Sequence, residues 1–96
     1  MIATFADAAT EDVWNGRETK AARHIPKAIW PVVRRKLDLL NRLTRLDALR
    51  VLPGNQFKAL KGKEAGFYSI RVNDQWRICF TWTPAGPENV EITDYH

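Results

Sequence analysis

The strongest constraint on this chain lies between Tyr68 and Trp82. Tyr68, Ile70 and Val72 alternate with Ser69 and Arg71; after Asn73-Asp74-Gln75, the residues Trp76, Ile78, Phe80 and Trp82 alternate with Arg77, Cys79 and Thr81. A period of two marks half-buried strands. Two such runs around Asn73–Gln75 predict a hairpin, since Asn and Asp tolerate the left-handed backbone that a short loop needs. Directly opposed residues of an antiparallel pair share a face, so apolar must meet apolar. The register follows, with Val72 opposite Trp76, Ile70 opposite Ile78 and Tyr68 opposite Phe80. It also sets Arg71 opposite Arg77 on the face that the apolar residues leave free. Like charges so placed repel. Two readings stand: the pair faces a phosphate, or the two long side chains splay into water.

Upstream of Phe57 the periodicity is helical. Ile29, Val33, Leu37, Leu40 and Leu43 or Thr44 recur at the spacing of one helical face, predicting an amphipathic helix from Pro26 to about Thr44. Pro31 marks its first turn or kinks it. Before it, Ile2 to Phe5 reads as an edge strand. Asp7 to Trp14 reads as a brief helix with Asp7 as its cap and Gly16 past its end. A further helical turn is expected from Arg45 to Val51, ended by Pro53-Gly54. After the hairpin, Thr83-Pro84-Ala85-Gly86-Pro87 is a breaker-rich turn, and Val90 and Ile92 begin a last strand. The whole is an α+β chain.

With 96 residues, the chain has room for one domain, 1–96, and one modest core. No stretch approaches the roughly 20 apolar residues of a membrane span, and Met1 to Asp7 lacks the features of a signal peptide, so a cytoplasmic protein is expected. One cysteine, Cys79, and two histidines, His24 and His96, give no internal disulfide and no zinc spacing. Neither metal nor cofactor is expected. The net charge of +4 is uneven: from Arg17 to Arg50 ten lysines and arginines face only Glu18, Asp38 and Asp47. Such a field attracts phosphate backbones or an acidic protein, although solvated helix faces account for it equally well.

Cleaving RNA without a metal requires a base for the 2′-OH proton, cations for the charge gathering on phosphorus, and an acid for the leaving oxygen. Lys58, Lys61, Arg71, Arg77 and the run Asp94-Tyr95-His96 supply the candidates, with Lys58, Arg71 and Lys63 read as binding the RNA backbone. His96 alone in this group titrates near neutrality unaided. Strict alternation from Val90 and Ile92 puts Tyr95 on the Arg77 face and sends Asp94 and His96 the other way, unless a bulge re-aims them. Trp14, Trp30, Trp76, Phe80 and Trp82 read as packing rather than as stacking platforms. Cys79 shares the Arg77 face and is given no role.

Leu60-Lys61-Gly62, then Gly66-Phe67-Tyr68-Ser69-Ile70-Arg71-Val72-Asn73-Asp74-Gln75-Trp76-Arg77-Ile78-Cys79-Phe80, and finally Asp94-Tyr95-His96, together resemble the HigB-type toxins of the RelE/ParE superfamily. The helical half matches in pattern more than in residues. The resemblance implies a microRNase-like fold, with N-terminal helices on one side of a curved, mainly antiparallel sheet. It implies a ribosome-dependent endoribonuclease that enters the A site of the small subunit and cuts the mRNA codon there. Carried over by position, Arg77 stabilises the transition state, Lys61 holds phosphate, His96 is acid or base, and Asp94 or Tyr95 orients it or the nucleotide. Lys58 stands where related toxins often have a histidine, so it is a replacement base or a phosphate ligand. A helix-turn-helix antitoxin of the HigA kind is the implied partner, with operator DNA contacted only through the complex. Two other functions stay open: a non-enzymatic inhibitor of DNA gyrase of the ParE kind, and a ribosome- or RNA-binding module with a weakened active site.

Overall fold

A computed structural model describes residues 1–52 and 54–95. The apolar alternation builds a four-stranded antiparallel sheet in sequential order: β1 (Lys58–Ala59), β2 (Phe67–Arg71), β3 (Trp76–Thr83) and β4 (Gly86–Asp94). The central hairpin has the expected register, with Tyr68 opposite Phe80, Ile70 opposite Ile78 and Arg71 opposite Arg77. Asn73 holds the loop by accepting hydrogen bonds at Oδ1 from the backbone N–H groups of Gln75 (2.9 Å) and Trp76 (2.8 Å).

Among the described residues, three α-helices precede the sheet. In α1 (Ala8–Trp14), Asp7 caps the N-terminus through a 2.8 Å bond from Thr10 N–H. The longest, α2, spans Trp30–Arg42 and begins later than its stripe suggests: Pro26 is extended, and Lys27–Ile29 form a 3₁₀ turn that delivers Pro31 into the first α-helical turn. Proline is tolerated there because a first-turn N–H has no intrahelical acceptor. The short α3 covers Ala48–Val51; Pro53, expected to end it, lies outside the described residues. Val13, Trp30, Val33, Leu37, Leu40 and Leu49 pack on Ile70, Trp76, Ile78, Phe80, Val90 and Ile92. The helices therefore cover one face of the sheet, the face made by the even-numbered residues of β2 and β3.

The C-terminal strand departs from expectation. It starts at Gly86 rather than Val90, and the turn contracts to Pro84-Ala85 between paired Thr83 and Gly86. Gly86 is at φ +117°, and a Cβ there would stand 2.3 Å from the carbonyl oxygen of Met1, so only glycine admits the N-terminal chain. That chain runs parallel to β4, with Phe5 bridged to Val90 and Ala6 N–H donating to Val90 (2.9 Å). Asn89, at φ +53°, forms a bulge between the Cys79 and Thr81 pairings, so Pro87 and Val90 both turn to the core side. Among the described residues no helix is long and apolar enough to cross a membrane.

Candidate active site

The uncovered face is built in cross-strand rows. Lys58, Ser69, Cys79 and Glu91 stand opposite one another across all four strands, and Arg71, Arg77 and Thr93 form the next row. The two arginines do not share a fate. Arg71 pairs with Asp74 in the hairpin loop. Arg77 turns inward and is only 8% exposed; its Nε donates to Ser69 Oγ (2.9 Å) and its Nη2 to the Gln56 carbonyl (2.6 Å). The two guanidinium groups take separate partners, Arg71 toward the exposed loop and Arg77 inward. Burial holds the Arg77 guanidinium below its usual pKa, with Arg71 adding to the shift and Cys79 and Tyr95 opposing it. Arginine is basic enough to stay charged at neutral pH regardless.

The carbonyl that holds Arg77 is itself fixed. Gln56 adopts a left-handed φ of +42°, a conformation that non-glycine residues keep only where neighbours impose it. The preceding Asn55 is buried, accepts a 2.5 Å bond from Lys36 Nζ of α2 at its side-chain oxygen, and accepts Arg71 N–H at its backbone carbonyl (2.7 Å). Burial, then Arg35 and Arg71, lower the pKa of the Lys36 ammonium. A helix on the core side therefore fastens the loop that positions a cation on the other.

Past the bulge, alternation holds, so Tyr95 lies on the Arg77 face while Asp94 stands opposite Trp76 on the other. Gln75 clamps this strand end, accepting Tyr95 N–H at its carbonyl (2.5 Å) and donating from its side chain to Asp94 Oδ2 (3.1 Å). The Tyr95 hydroxyl is 3.8 Å from Cys79 Sγ. Burial chiefly, with the Cys79 contact and the charge of Glu64 adding, pushes its pKa up to about 12 against the opposing pull of Arg77. The phenol stays protonated at neutral pH and is a donor. Beside it opens a pocket of about 330 Å³ whose walls include Leu60, Glu64, Phe67, Glu91 and Thr93.

Of the residues singled out in the sequence, Arg71, Arg77 and Tyr95 meet on this face. Lys58 is exposed in β1 at its edge. Lys61 precedes the 3₁₀ turn Gly62–Glu64 that carries exposed Lys63. His96 lies outside the described residues. Sequence reasoning missed Ser69, the Gln56 carbonyl, Glu64 and Glu91. Ser69 and Glu91 could have been found by extending the hairpin register to β1 and β4; a backbone carbonyl leaves no trace in a sequence.

The family model for the RelE-like toxin of the type II toxin–antitoxin system HigB matches residues 3–96. Toxin HigB-1 of Vibrio cholerae is 38% identical over 82 residues, which span 85% of this chain and 84% of that toxin. An uncharacterized protein of Haemophilus influenzae is 35% identical over 72 residues, covering 75% of this chain and 66% of its own. Among solved structures, the YoeB–YefM complex from Staphylococcus aureus aligns with a TM-score of 0.62 at 17% identity, over 100% of this chain and 98% of that one. The YoeB dimer from the same organism gives 0.61 at 21% identity, over 99% and 94%. The fold is shared with these toxins, and the chain belongs to the HigB-like family of RelE-type toxins of type II toxin–antitoxin systems.

Proposed function

We propose that this toxin is an endoribonuclease that cuts messenger RNA in the ribosomal A site and is neutralised by a cognate helix-turn-helix antitoxin. The observation that carries the reading is the pairing on one face of a rigidly held cation, Arg77, with a phenol kept protonated, Tyr95. In the proposed reaction a base takes the 2′-OH proton, the 2′-oxygen bonds to phosphorus, and the bond from phosphorus to the 5′-oxygen breaks. The products are a 2′,3′-cyclic phosphate and a 5′-hydroxyl end. Arg77 stabilises the charge gathering on the phosphoryl oxygens. Two of its nitrogens are held by the protein, while Nη1 makes no hydrogen bond among the described residues and remains a donor for phosphate.

Tyr95 donates to the same group or to the leaving oxygen. Lys58, Lys61 and Lys63 hold the RNA backbone from the exposed edge, with Arg71 beside them. His96, by its match to the family ending, moves the proton. Asp94 acts through the strand end, which it and Gln75 fix. Outside this face, Arg34 and Arg35 flank an open recess near Trp14 and Asp38, a basic surface suited to ribosomal RNA or to an acidic antitoxin segment.

The test is primer extension on a defined message in a purified translation system, with wild type, Arg77→Ala and a chain lacking His96. Discrete cuts at A-site codons that need ribosomes and vanish in both variants are the expected result. An intact message alongside blocked gyrase, or alongside ribosome binding alone, would replace the nuclease by one of the two non-enzymatic readings.

A further inference from the structure

The pocket beside Tyr95 is chemically unlike the rim around it. Lysines and arginines occupy the face at Lys58, Arg71 and Arg77, yet among the described residues no basic side chain lines the pocket, whose ionisable groups there are Glu64, Glu91, Cys79 and Tyr95. A phosphate is repelled from such a recess and attracted to its rim. The walls suit a flat, partly apolar group, with Phe67 and Leu60 on the β1–β2 side and Tyr95 and Thr93 on the β4 side. About 330 Å³ is at the lower end of volumes that hold small organic ligands. Glu91 is oriented: its Oε1 accepts the Thr93 hydroxyl at 3.2 Å, and among the described residues no group donates to its other oxygen.

We propose, resting on the nuclease reading above, that this pocket receives a nucleobase bearing an exocyclic amino group and disfavours uracil, with Glu91 as the discriminating residue. An ionised carboxylate only accepts hydrogen bonds. Adenine, cytosine and guanine each offer amino N–H donors. Uracil offers one ring N–H between two carbonyl oxygens, and those acceptors face the carboxylate unfavourably. The phosphate next to the base then falls on the Arg77 row, because Thr93, which orients Glu91, stands directly opposite Arg77. A good polar contact to a base edge discriminates by roughly tenfold or more.

The experiment is an NMR titration of the labelled chain with AMP, CMP, GMP and UMP, using inorganic phosphate as the control. The amides of Phe67, Glu91 and Tyr95 should shift with the three amino bases at concentrations about tenfold lower than with UMP. Phosphate alone should move Arg77 and Lys58 but not Phe67. In Glu91→Gln, whose amide offers a donor as well as an acceptor, the advantage should shrink to within about threefold. Equal affinity for all four nucleotides, or shifts confined to the Arg77 row, would overturn the pocket; should Glu91→Gln not fold, the wild-type ratio decides alone. Because nothing is cut in this titration, a failed cleavage assay removes the nuclease reading without obscuring this one.

Discussion

The two faces of β3 are both largely buried around its centre and are differently made. Toward the helices, Ile78 and Phe80 are fully buried with Ile70 of β2 and Val90 of β4, and what holds them is area removed from water and close packing. On the other side Arg77 is 8% exposed and Cys79 9%, beside fully buried Ser69 of β2. There, burial depends on hydrogen-bond geometry: among the described residues no buried side-chain nitrogen or oxygen lacks a partner, and an unpartnered cation in that place would cost several kcal/mol. One strand thus carries a face specified by volume and a face specified by direction, so damage to each should register differently.

The largest effect is expected on the packed face. Phe80→Ala should cost about 3–5 kcal/mol of stability, read as a lower urea midpoint. Any activity of the remaining folded fraction should be close to wild type per folded molecule. A small stability loss with abolished cleavage would break the division between the faces. Ser69→Ala should do the reverse, losing about 1.5–3 kcal/mol of stability, because it leaves one nitrogen of a buried cation unpaired. Its single-turnover cleavage rate should fall about tenfold with the half-saturating ribosome concentration unchanged, since Ser69 acts through Arg77 rather than on RNA. A change confined to half-saturation would make Ser69 a binding residue instead. Asp7→Ala, at the α1 cap, should cost about 1 kcal/mol and leave the cleavage rate per folded molecule untouched.

The smallest effect is expected through pH, because Tyr95 is 37% exposed and solvent screens the interactions that shift it. The Tyr95 phenol has a folded pKa of about 12, above the ordinary value near 10 that it takes when unfolded. The folded state therefore binds the proton more tightly. The resulting stability is fully present below about pH 10 and is lost as pH rises toward 12. Phenolate absorbance should show a late step that Tyr95→Phe removes; a late step persisting in that variant would contradict the assignment.

What the sequence disclosed follows the same split. The hairpin register was legible because apolar residues have only one way to face a core, and Arg71 opposite Arg77 came with it. The inward turn of Arg77 was not legible, because it depends on a carbonyl 21 residues earlier in the chain, set by a left-handed Gln56 and a lysine on α2. Nor was the early start of β4, where Gly86 and Pro87 read as breakers yet are held by the N-terminal chain. The bulge at Asn89 left a faint trace: asparagine tolerates positive φ, and the core-facing positions change parity between Pro87 and Val90. The placement of Tyr95 on the Arg77 face followed from alternation past that bulge.

RNA cleavage is proposed to take place on the direction-specified face. The most direct test is the single-turnover rate of message cleavage on programmed ribosomes by Arg77→Lys, with folding checked by circular dichroism. Lysine keeps the charge but cannot reproduce the planar fork that engages Ser69, the Gln56 carbonyl and a phosphate together. A rate roughly 10²–10³-fold below wild type, from a folded protein, is the predicted result. A folded Arg77→Lys that cuts at the wild-type rate, or a wild type that leaves the message whole, would show that this face is not the site of cleavage.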